Sequence, residues 1–383
     1  MTTHIESKLP DVGTTIFTVM SKLAQDHGAI NLSQGFPDFE PDEGLLDRVN
    51  YHLRNGKNQY PPMIGIAELR QAISDKLKSE SAIDVDPETE ITITSGATEA
   101  LYCAIQAVVH RGDEVIVFDP CYDSYEPAIS LAGGKTVHIP MTLPDYRIDW
   151  DAFHQKLNSN TRMVIINSPH NPSSSILTRE DLDKLAEAIR PLNCFVLSDE
   201  VYEHIIFDGE IHASVLTHPE LRPKSMAVFS FGKTYHVTGW KIGYCVAPSV
   251  LSAEFRKIHQ FNVFTTPTPM QWAIADFIKS NPQNYQELGA FYQQKRDLFC
   301  SLIEASRFKL LPSRGTYFQL ADYSEISDKV DTDFANWMTM EKGVAVIPLS
   351  PFYQSPPDSR IIRFCFAKQD DTLREAAAII NAV

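Results

Sequence analysis

Short apolar runs alternate with longer amphipathic segments through the middle of this chain. Short apolar runs are typical of buried strands, and longer segments with helical spacing are typical of helices. Because buried strands that alternate with helices form parallel sheets, we predict an α/β fold whose mostly parallel, seven-stranded sheet is sandwiched by helices. The predicted strands are residues 91–94, 114–118, 136–139, 163–167, 194–198, 227–230 and 242–246, and the predicted helices include residues 98–110, 179–189 and 251–261.

Polar residues cluster at the points where the predicted strands end. In a parallel sheet, ligands bind beyond the carboxyl ends of the strands, which lie together at one edge. The clusters are residues 95–98, 119–122, 167–172, 198–202 and 230–233. We therefore predict one binding site built from these segments.

The two ends of the chain are predicted to form a second, smaller α+β domain. A chain of 383 residues is long enough for two domains, and strand-like runs at residues 315–320 and 361–366 lie outside the alternating region. We predict that residues 1–45 form an N-terminal arm and part of the small domain. Residues 46–284 then form the large domain, and residues 285–383 form the small C-terminal domain.

Charge and cysteine content restrict the possible partners and location. A formal net charge of −15 argues against nucleic acid or an anionic membrane as a general partner. The six cysteines are scattered without a C-x-x-C pair, so we expect free thiols in a reducing compartment, and we predict no metal site. We expect no signal peptide and no membrane span, because no apolar run has the required length. The predicted location is cytoplasmic.

Lys233 is the strongest candidate for covalent chemistry. It follows the apolar run at residues 226–229 together with Ser230 and Gly232, and a second cation, Lys241, comes eight residues later. Burial and nearby positive charge both favour the neutral amine, which attacks a carbonyl carbon to give a Schiff base. The alternative is an ordinary solvated lysine in a loop.

Two further segments offer what an aldehyde cofactor would need. Gly96, Ala97 and Thr98 open a predicted helix, where free backbone N–H groups favour a phosphate. Asp199 directly follows a buried strand, where its carboxylate needs a partner such as a protonated pyridine nitrogen. Tyr202 is three residues further on and can donate to a phenolate oxygen of the same ring. Ordinary helix caps are the alternative interpretation of both segments.

Three other residues have both a functional and an ordinary interpretation. Asn171 precedes a proline, so its amide either projects into the cleft or belongs to a plain Asn-Pro loop. Tyr122 follows a strand end and either stacks on a heteroaromatic ring or packs in the core. Arg363 lies in an apolar run, where it pairs with a substrate carboxylate or with an internal acid.

The order and spacing of these segments resemble the class I/II aminotransferases, which share the pyridoxal-phosphate-dependent fold type I. The resemblance runs from Asn31 to about Ala367. The motifs that carry it are residues 31–39 (NLSQGFPDF), 60–62 (YPP) with Gly65 and residues 68–70 (ELR), 96–101 (GATEAL), 169–172 (PHNP), 199–202 (DEVY), 230–233 (SFGK) and 363–364 (RF).

The resemblance implies pyridoxal 5′-phosphate (PLP) as the cofactor and a role for each residue around its ring. Lys233 is expected to form the Schiff base with PLP and to move the proton of the reaction. Asp199 is expected to pair with the pyridine nitrogen, and Tyr202 and Asn171 with the phenolic oxygen. Tyr122 is expected to stack on the ring. The catalytic residues implied in this way are Lys233, Asp199 and Tyr202.

The resemblance also implies the residues that bind the phosphate and the substrate. The phosphate ligands are expected to be Gly96, Ala97, Thr98, Ser230 and Lys241, joined by Tyr60 of the partner subunit. That role of Tyr60 implies a homodimer with shared active sites. The substrate carboxylate is expected to contact Arg363, Asn171 and Gly35.

The chain departs from the family pattern at two places. Lys241 stands where the family commonly has arginine, and a lysine neutralises phosphate without the bidentate geometry of a guanidinium. Residues 173–175 are three serines, where the family often has threonine or serine followed by glycine.

The pocket for the substrate side chain is predicted to be apolar. Ile16, Phe17 and Phe36 lie in the N-terminal arm, and we identify no second cation for the distal carboxylate of an acidic substrate. The run at residues 34–39, together with Lys241, resembles the branch that holds the kynurenine, glutamine and bacterial methionine aminotransferases. We therefore expect transfer of the α-amino group of methionine, and of aromatic or other neutral amino acids, to a 2-oxo acid.

Other activities on the same scaffold remain alternatives at this point. One is a cysteine-S-conjugate β-lyase, and another is a kynurenine or glutamine aminotransferase. A ligand-sensing regulator with this fold would carry a DNA-binding domain, which the short N-terminal segment and the net charge argue against.

Overall fold

The computed structural model describes residues 5–383. The α-helices of that range are α1 Ile16–His27, α2 Glu43–Arg54, α3 Ala67–Ser81, α4 Gly96–Val108, α5 Tyr125–Leu131, α6 Trp150–Lys156, α7 Arg179–Ile189, α8 Phe231–Thr234, α9 Ser249–Asn262, α10 Thr268–Ser280, α11 Gln283–Gln286, α12 Leu288–Ile303, α13 Asp331–Trp337 and α14 Asp370–Ile380. The strands are β1 Ile30–Asn31, β2 Ile91–Thr94, β3 Glu114–Asp119, β4 Lys135–Pro140, β5 Thr161–Asn167, β6 Phe195–Asp199, β7 Ser225–Ser230, β8 Gly243–Val246, β9 Lys309–Leu310, β10 Phe318–Asp322, β11 Val344–Ala345, β12 Ile347–Pro348 and β13 Ile361–Cys365.

Seven strands form the large sheet, in the order β2-β8-β7-β6-β5-β3-β4. Neighbouring strands from β7 to β4 pair in parallel, whereas β8 runs antiparallel to both β2 and β7. Each of these strands lies within two residues of its predicted bounds. The predicted mostly parallel, seven-stranded sheet is therefore confirmed.

Alternate residues of the strands pack on opposite faces of the large sheet. In β5, Met163 and Ile165 belong to one buried cluster, and Val164 and Ile166 belong to another. Helices α4, α5 and α9 cover the first face, and α2, α3, α7 and α10 cover the second. Because both faces are covered, the sequence of each central strand is a continuous apolar run rather than an alternation of apolar and polar residues.

The two ends of the chain meet in the smaller sheets. Ile30 of β1 pairs with Val344 of β11, and β9, β10, β12 and β13 form a four-stranded antiparallel sheet. Strand β10 begins later than the predicted run at residues 315–320, because Thr316 has a φ of 63° and turns the chain. The domain boundaries at residues 45 and 284 stay a prediction.

The remaining predictions on chemistry and location concern the cysteines and the membrane. All six cysteines carry free thiols, and five of them are buried. Among residues 5–383, no helix is long and apolar enough to cross a membrane. The cytoplasmic location stays a prediction.

A buried ion pair joins α3 to the segment that follows β6. The Nζ atom of Lys76 lies 2.7 Å from Oε1 of Glu203, and these side chains are 4% and 12% exposed. Burial by itself raises the pKa of Glu203. The positive charges of Lys76 and His204 more than reverse this effect, so the pKa of Glu203 lies well below its ordinary value.

We expect Lys76→Met to lower the free energy of unfolding by about 3 kcal/mol at neutral pH, because it leaves the Glu203 carboxylate buried without its main partner. The pKa of Glu203 is lower in the folded state than in the unfolded state. The stabilisation that the ion pair gives to the wild-type protein is therefore fully present above the unfolded-state pKa, and it is lost progressively as the pH falls toward the folded-state pKa. Urea denaturation measured from neutral to acidic pH tests both points. The matched control is Lys78→Met, on the same helix as Lys76. It removes an exposed pair with Asp84 and should change stability little. Equal losses in the two variants would contradict the prediction.

Candidate active site

The carboxyl ends of β5, β6 and β7 open into one cavity. The parallel register pairs Asn167 with Asp199 and Asp199 with Val228, so the three strands end at the same edge of the sheet, with β7 extending two residues further than the other two. The structure brings together most of the predicted cofactor residues around this cavity, namely Gly96, Ala97, Thr98, Tyr122, Asn171, Asp199, Tyr202, Ser230, Lys233 and Lys241. Polar segments from distant parts of the sequence thus meet where the sheet topology predicts a ligand.

Lys233 points into the cavity from the short helix that directly follows β7. Its Nζ atom donates hydrogen bonds to the Gly35 carbonyl oxygen at 3.0 Å and to the Tyr317 hydroxyl at 2.8 Å. Burial lowers the pKa of Lys233 to about 8, and the positive charges of Arg363 and Lys241 act in the same direction. The amine is therefore partly neutral near physiological pH, as a nucleophilic or proton-transferring lysine requires.

Asp199 lies buried at the end of β6. The Tyr125 hydroxyl donates to its Oδ2 atom at 2.7 Å, and the Val201 N–H donates to Oδ1 at 3.4 Å. Burial raises the pKa of Asp199 to about 6, although the bond from Tyr125 favours the ionised form. A cationic partner in the cavity would stabilise this carboxylate further.

The turn at the start of α4 forms a tight cradle with the start of β8 and with Lys241, two residues before that strand. Gly96 has a φ of 75°, and a Cβ atom there would lie 3.3 Å from Nζ of Lys241. A Cβ atom on Gly243 would come within 2.9 Å of the Ala97 nitrogen. The first turn of a helix leaves backbone N–H groups without acceptors, so this cradle presents free donors beside a cation.

Arg363 is completely buried on β13. Its NH1 group donates to Oδ1 of Asn171 at 2.6 Å, and its NH2 group donates to the Ser33 carbonyl oxygen at 3.1 Å. Its Nε atom has no hydrogen-bond partner among residues 5–383. The guanidinium carbon lies 3.8 Å from the ring centre of Phe318 and 5.3 Å from that of Phe17. Burial lowers the pKa of Arg363 to about 10, which leaves it charged at neutral pH.

The three-serine segment at residues 173–175 makes a turn where the family often has glycine. Ser174 has a φ of 62°, in the left-handed region. Its hydroxyl group lies 2.8 Å from the Phe318 carbonyl oxygen and 2.9 Å from Oγ1 of Thr316. These hydrogen bonds offset the cost of the strained backbone and attach the Asn171 loop to β10.

Five of the predicted residues lie outside the cavity lining, namely Gly35, Arg363, Tyr60, Phe36 and Phe17. Tyr60 is 83% exposed, and its ring packs against Phe264 with centroids 5.6 Å apart. Phe36 is 43% exposed and packs beside Lys368. Phe17 lies next to Arg363, so the structure places the two predicted aromatic residues of the arm in different surroundings.

Sequence reasoning missed two tyrosines of the site, Tyr317 and Tyr125. Each donates a hydrogen bond within the site, Tyr125 to Asp199 and Tyr317 to the Gly35 carbonyl oxygen at 2.5 Å. Tyr317 also accepts a hydrogen bond from Lys233. Tyr125 is 74 residues from Asp199 in the sequence, and Tyr317 is 84 residues from Lys233, so no local pattern indicates these contacts.

Comparison with known proteins decides the family. The Aminotransferase class I and II family matches residues 27–380. The chain belongs to this family. Its fold and its membership among the aminotransferases are therefore as predicted.

Several relatives of this aminotransferase match almost its full length. The methionine aminotransferase of Escherichia coli is 52% identical over 372 residues, which are 97% of this chain and 96% of the relative. A crystal structure from Escherichia coli, for which a methionine aminotransferase function was identified, has a TM-score of 0.98 and 51% identity and covers 100% of both chains. Human kynurenine–oxoglutarate transaminase 3 is 32% identical over a gapped alignment of 405 positions that covers 98% of this chain and 89% of the relative.

We expect Lys233 of the cofactor-free aminotransferase to react with an acylating reagent with a midpoint near pH 8, because burial lowers its pKa to about 8. Competitive labelling across pH, quantified by peptide mass spectrometry, measures this midpoint. Lys78, whose pKa is raised by its bond with Asp84, is the internal control and should react only at higher pH. Removing the Arg363 charge with Arg363→Gln should move the Lys233 midpoint upward. A Lys233 profile that coincides with that of Lys78 would show that the amine is not activated.

Proposed function

We propose that this aminotransferase transfers the α-amino group of methionine, and of aromatic or other neutral amino acids, to a 2-oxo acid, with PLP as its cofactor. The observation that carries the proposal is the 52% identity with the Escherichia coli methionine aminotransferase over nearly the whole of both chains. An identity of this size, combined with the site geometry described above, supports a shared substrate class.

The donor set of the cavity suits PLP. Lys233 offers a partly neutral amine for the aldehyde, and Asp199 offers a buried carboxylate for a protonated ring nitrogen. The glycine-lined cradle at Gly96, with Lys241 beside it, suits the phosphate. When bound, PLP supplies a carbonyl carbon for the amino group and an electron-withdrawing ring that weakens the bond between the α-carbon and its hydrogen.

The remaining cavity residues orient the ring and move the proton. We assign Tyr122 to stacking and assign Tyr202 and Asn171 to hydrogen bonds with the phenolic oxygen, since all three line the cavity. Lys233 takes the proton from the α-carbon and returns it during transfer of the amino group, because a pKa of about 8 lets Nζ act as base and as acid. Asp199, held by Tyr125, keeps its charge directed at the ring nitrogen.

Arg363 is the proposed ligand of the substrate carboxylate. Its guanidinium is held by Asn171 and by backbone groups, and its fork geometry matches a carboxylate. In this proposal the Gly35 backbone completes the carboxylate site, as the family resemblance implies.

A neutral side chain fits the surroundings of Arg363. The rings of Phe17 and Phe352 lie 5.5 Å apart and provide apolar surface. Asp123 is within electrostatic range of Arg363: burial raises the pKa of Asp123, and the Arg363 charge partly offsets that rise. A second carboxylate on the substrate would meet this acid. Phe36, which is partly exposed, is the more peripheral member of the proposed pocket.

We further propose a homodimer in which Tyr60 of the partner subunit contacts the phosphate. Tyr60 and Phe261 are 83% and 86% exposed, and Phe264 next to them is 42% exposed. An exposed cluster of large aromatic residues is typical of a protein–protein interface. Burial of this cluster against a second copy would bring Tyr60 to the partner's cavity.

We expect methionine and phenylalanine to convert the visible absorption band of the PLP-loaded enzyme about tenfold faster than aspartate or glutamate, because an apolar pocket with a nearby acid disfavours a second carboxylate. The measurement is stopped-flow absorbance with one amino acid at a time. Lys233→Ala should lack the band and serves as the control. Faster conversion by aspartate or glutamate would overturn the substrate proposal.

The same preparation separates the two alternative activities. Release of pyruvate and a thiol from a cysteine conjugate, without an added 2-oxo acid, would identify a β-lyase. Conversion by kynurenine or glutamine well ahead of methionine would instead place the enzyme with the kynurenine and glutamine aminotransferases.

A further inference from the structure

A buried acid–histidine pair lies behind the cavity, between helices α4 and α9. Nδ1 of His259 is 2.8 Å from Oε1 of Glu99. The histidine is completely buried, and Glu99 is 8% exposed. Neither residue lines the cavity, so the pair has no role in the chemistry proposed above. Its contacts nevertheless reach the turn at Gly96, which lines the cavity, and the segment that carries Tyr60.

Glu99 fixes the turn that begins α4. Its Oε2 atom accepts a hydrogen bond at 3.1 Å from the backbone N–H of Ser95, the N-cap residue of α4. Its Oε1 atom also accepts from the thiol of Cys103 at 2.8 Å. Burial by itself raises the pKa of Glu99, but these donors and His259 lower it below its ordinary value. The carboxylate is thus held in its charged form directly beneath the Gly96–Thr98 cradle.

His259 connects the same carboxylate to the segment that carries Tyr60. Its Nε2 atom lies 3.0 Å from the carbonyl oxygen of Met63, three residues after Tyr60. A carbonyl oxygen and a carboxylate only accept hydrogen bonds, so both ring nitrogens of His259 donate. The backbone carbonyl of His259 accepts from the N–H groups of Val263 at 3.1 Å and Phe264 at 3.0 Å. Phe264 is the residue whose ring packs against Tyr60. One histidine therefore holds both sides of the Tyr60–Phe264 contact.

We propose that the Glu99–His259 pair positions the ligands of two phosphate groups, one in each active site of the dimer. Within its own subunit it holds the turn at Gly96, and through Met63 and Phe264 it holds Tyr60 for the partner's site. The inference rests on the proposed function, because it requires a PLP phosphate and a shared site. Glu99 and His259 are positioning residues, since they act through the turn and through Tyr60.

The first test measures PLP binding to the cofactor-free protein. We expect His259→Gln to raise the dissociation constant of PLP about tenfold, because a glutamine cannot bridge Glu99 and Met63 together. The matched control is His52→Gln, since His52 is equally buried and pairs with Asp276 at 2.8 Å, away from the cavity. Thermal unfolding of both cofactor-free variants measures the structural cost. Equal PLP affinity in the two variants would overturn the proposal. Glu99→Gln, which keeps the size of the side chain, is the second variant if His259→Gln does not fold.

Hybrid dimers separate the effect within a subunit from the effect across the interface. A wild-type chain paired with a chain that carries Lys233→Ala has one Lys233 site, which is titrated with PLP through its visible band. Adding His259→Gln to the Lys233→Ala chain alters only the segment that presents Tyr60 to that site. Adding His259→Gln to the other chain alters only the turn of that site. We expect each hybrid to bind PLP several-fold more weakly than the reference hybrid.

A further hybrid distinguishes failure of this inference from failure of the proposed function. Here Tyr60→Phe is placed on the Lys233→Ala chain and should weaken PLP binding at the intact site. If Tyr60→Phe weakens PLP binding and His259→Gln on the same chain does not, the proposed role of the pair across the interface is wrong, and the shared active site is retained. If Tyr60→Phe has no effect, the shared site itself is wrong, and the role of the pair across the interface falls with it.

Discussion

The parallel pairing of β5, β6 and β7 is the constraint on which the rest of the structure depends. Because parallel strands end at one edge, the register that aligns Asn167 with Asp199 also brings the end of β7, and hence Lys233, to the same edge. The antiparallel strand β8 completes the arrangement by bringing Gly243 against the Ala97 backbone. The cavity is therefore a consequence of strand order and register, and the loops only supply side chains to it.

Charges buried at this edge are incompletely neutralised within the chain. Burial raises the pKa of Asp199 and lowers those of Lys233 and Arg363, so each group is less stable in its charged form than it would be in water. Such perturbed groups are typical of functional sites. A cofactor with a cationic ring nitrogen and an aldehyde, together with a substrate carboxylate, would satisfy all three groups, and part of the binding energy would come from relieving this cost.

Strand positions and strand-end residues were predictable from the sequence because both follow from strong local patterns. The apolar runs located the seven strands to within two residues, and the polar residues directly after them are those that line the cavity. The partners of these residues were not predictable in this way. Tyr125 and Tyr317 reach Asp199 and Lys233 only through the packing of distant segments, and the surroundings of Phe36 depend on how the arm crosses the small domain. The family resemblance supplied roles for single residues, whereas no motif indicates that Glu99, within residues 96–101, pairs with His259.

The bonds of Lys233 to Gly35 and Tyr317 have a thermodynamic consequence for the N-terminal arm. The Gly35 carbonyl oxygen accepts from both Lys233 and Tyr317, so the free amine helps to hold the arm against the large sheet. A ligand that engages the amine competes with this attachment. By linkage, any condition that detaches the arm favours reaction at Lys233, and reaction at Lys233 favours detachment by the same factor. The state of the Lys233 amine and the order of the arm are thus coupled in one equilibrium.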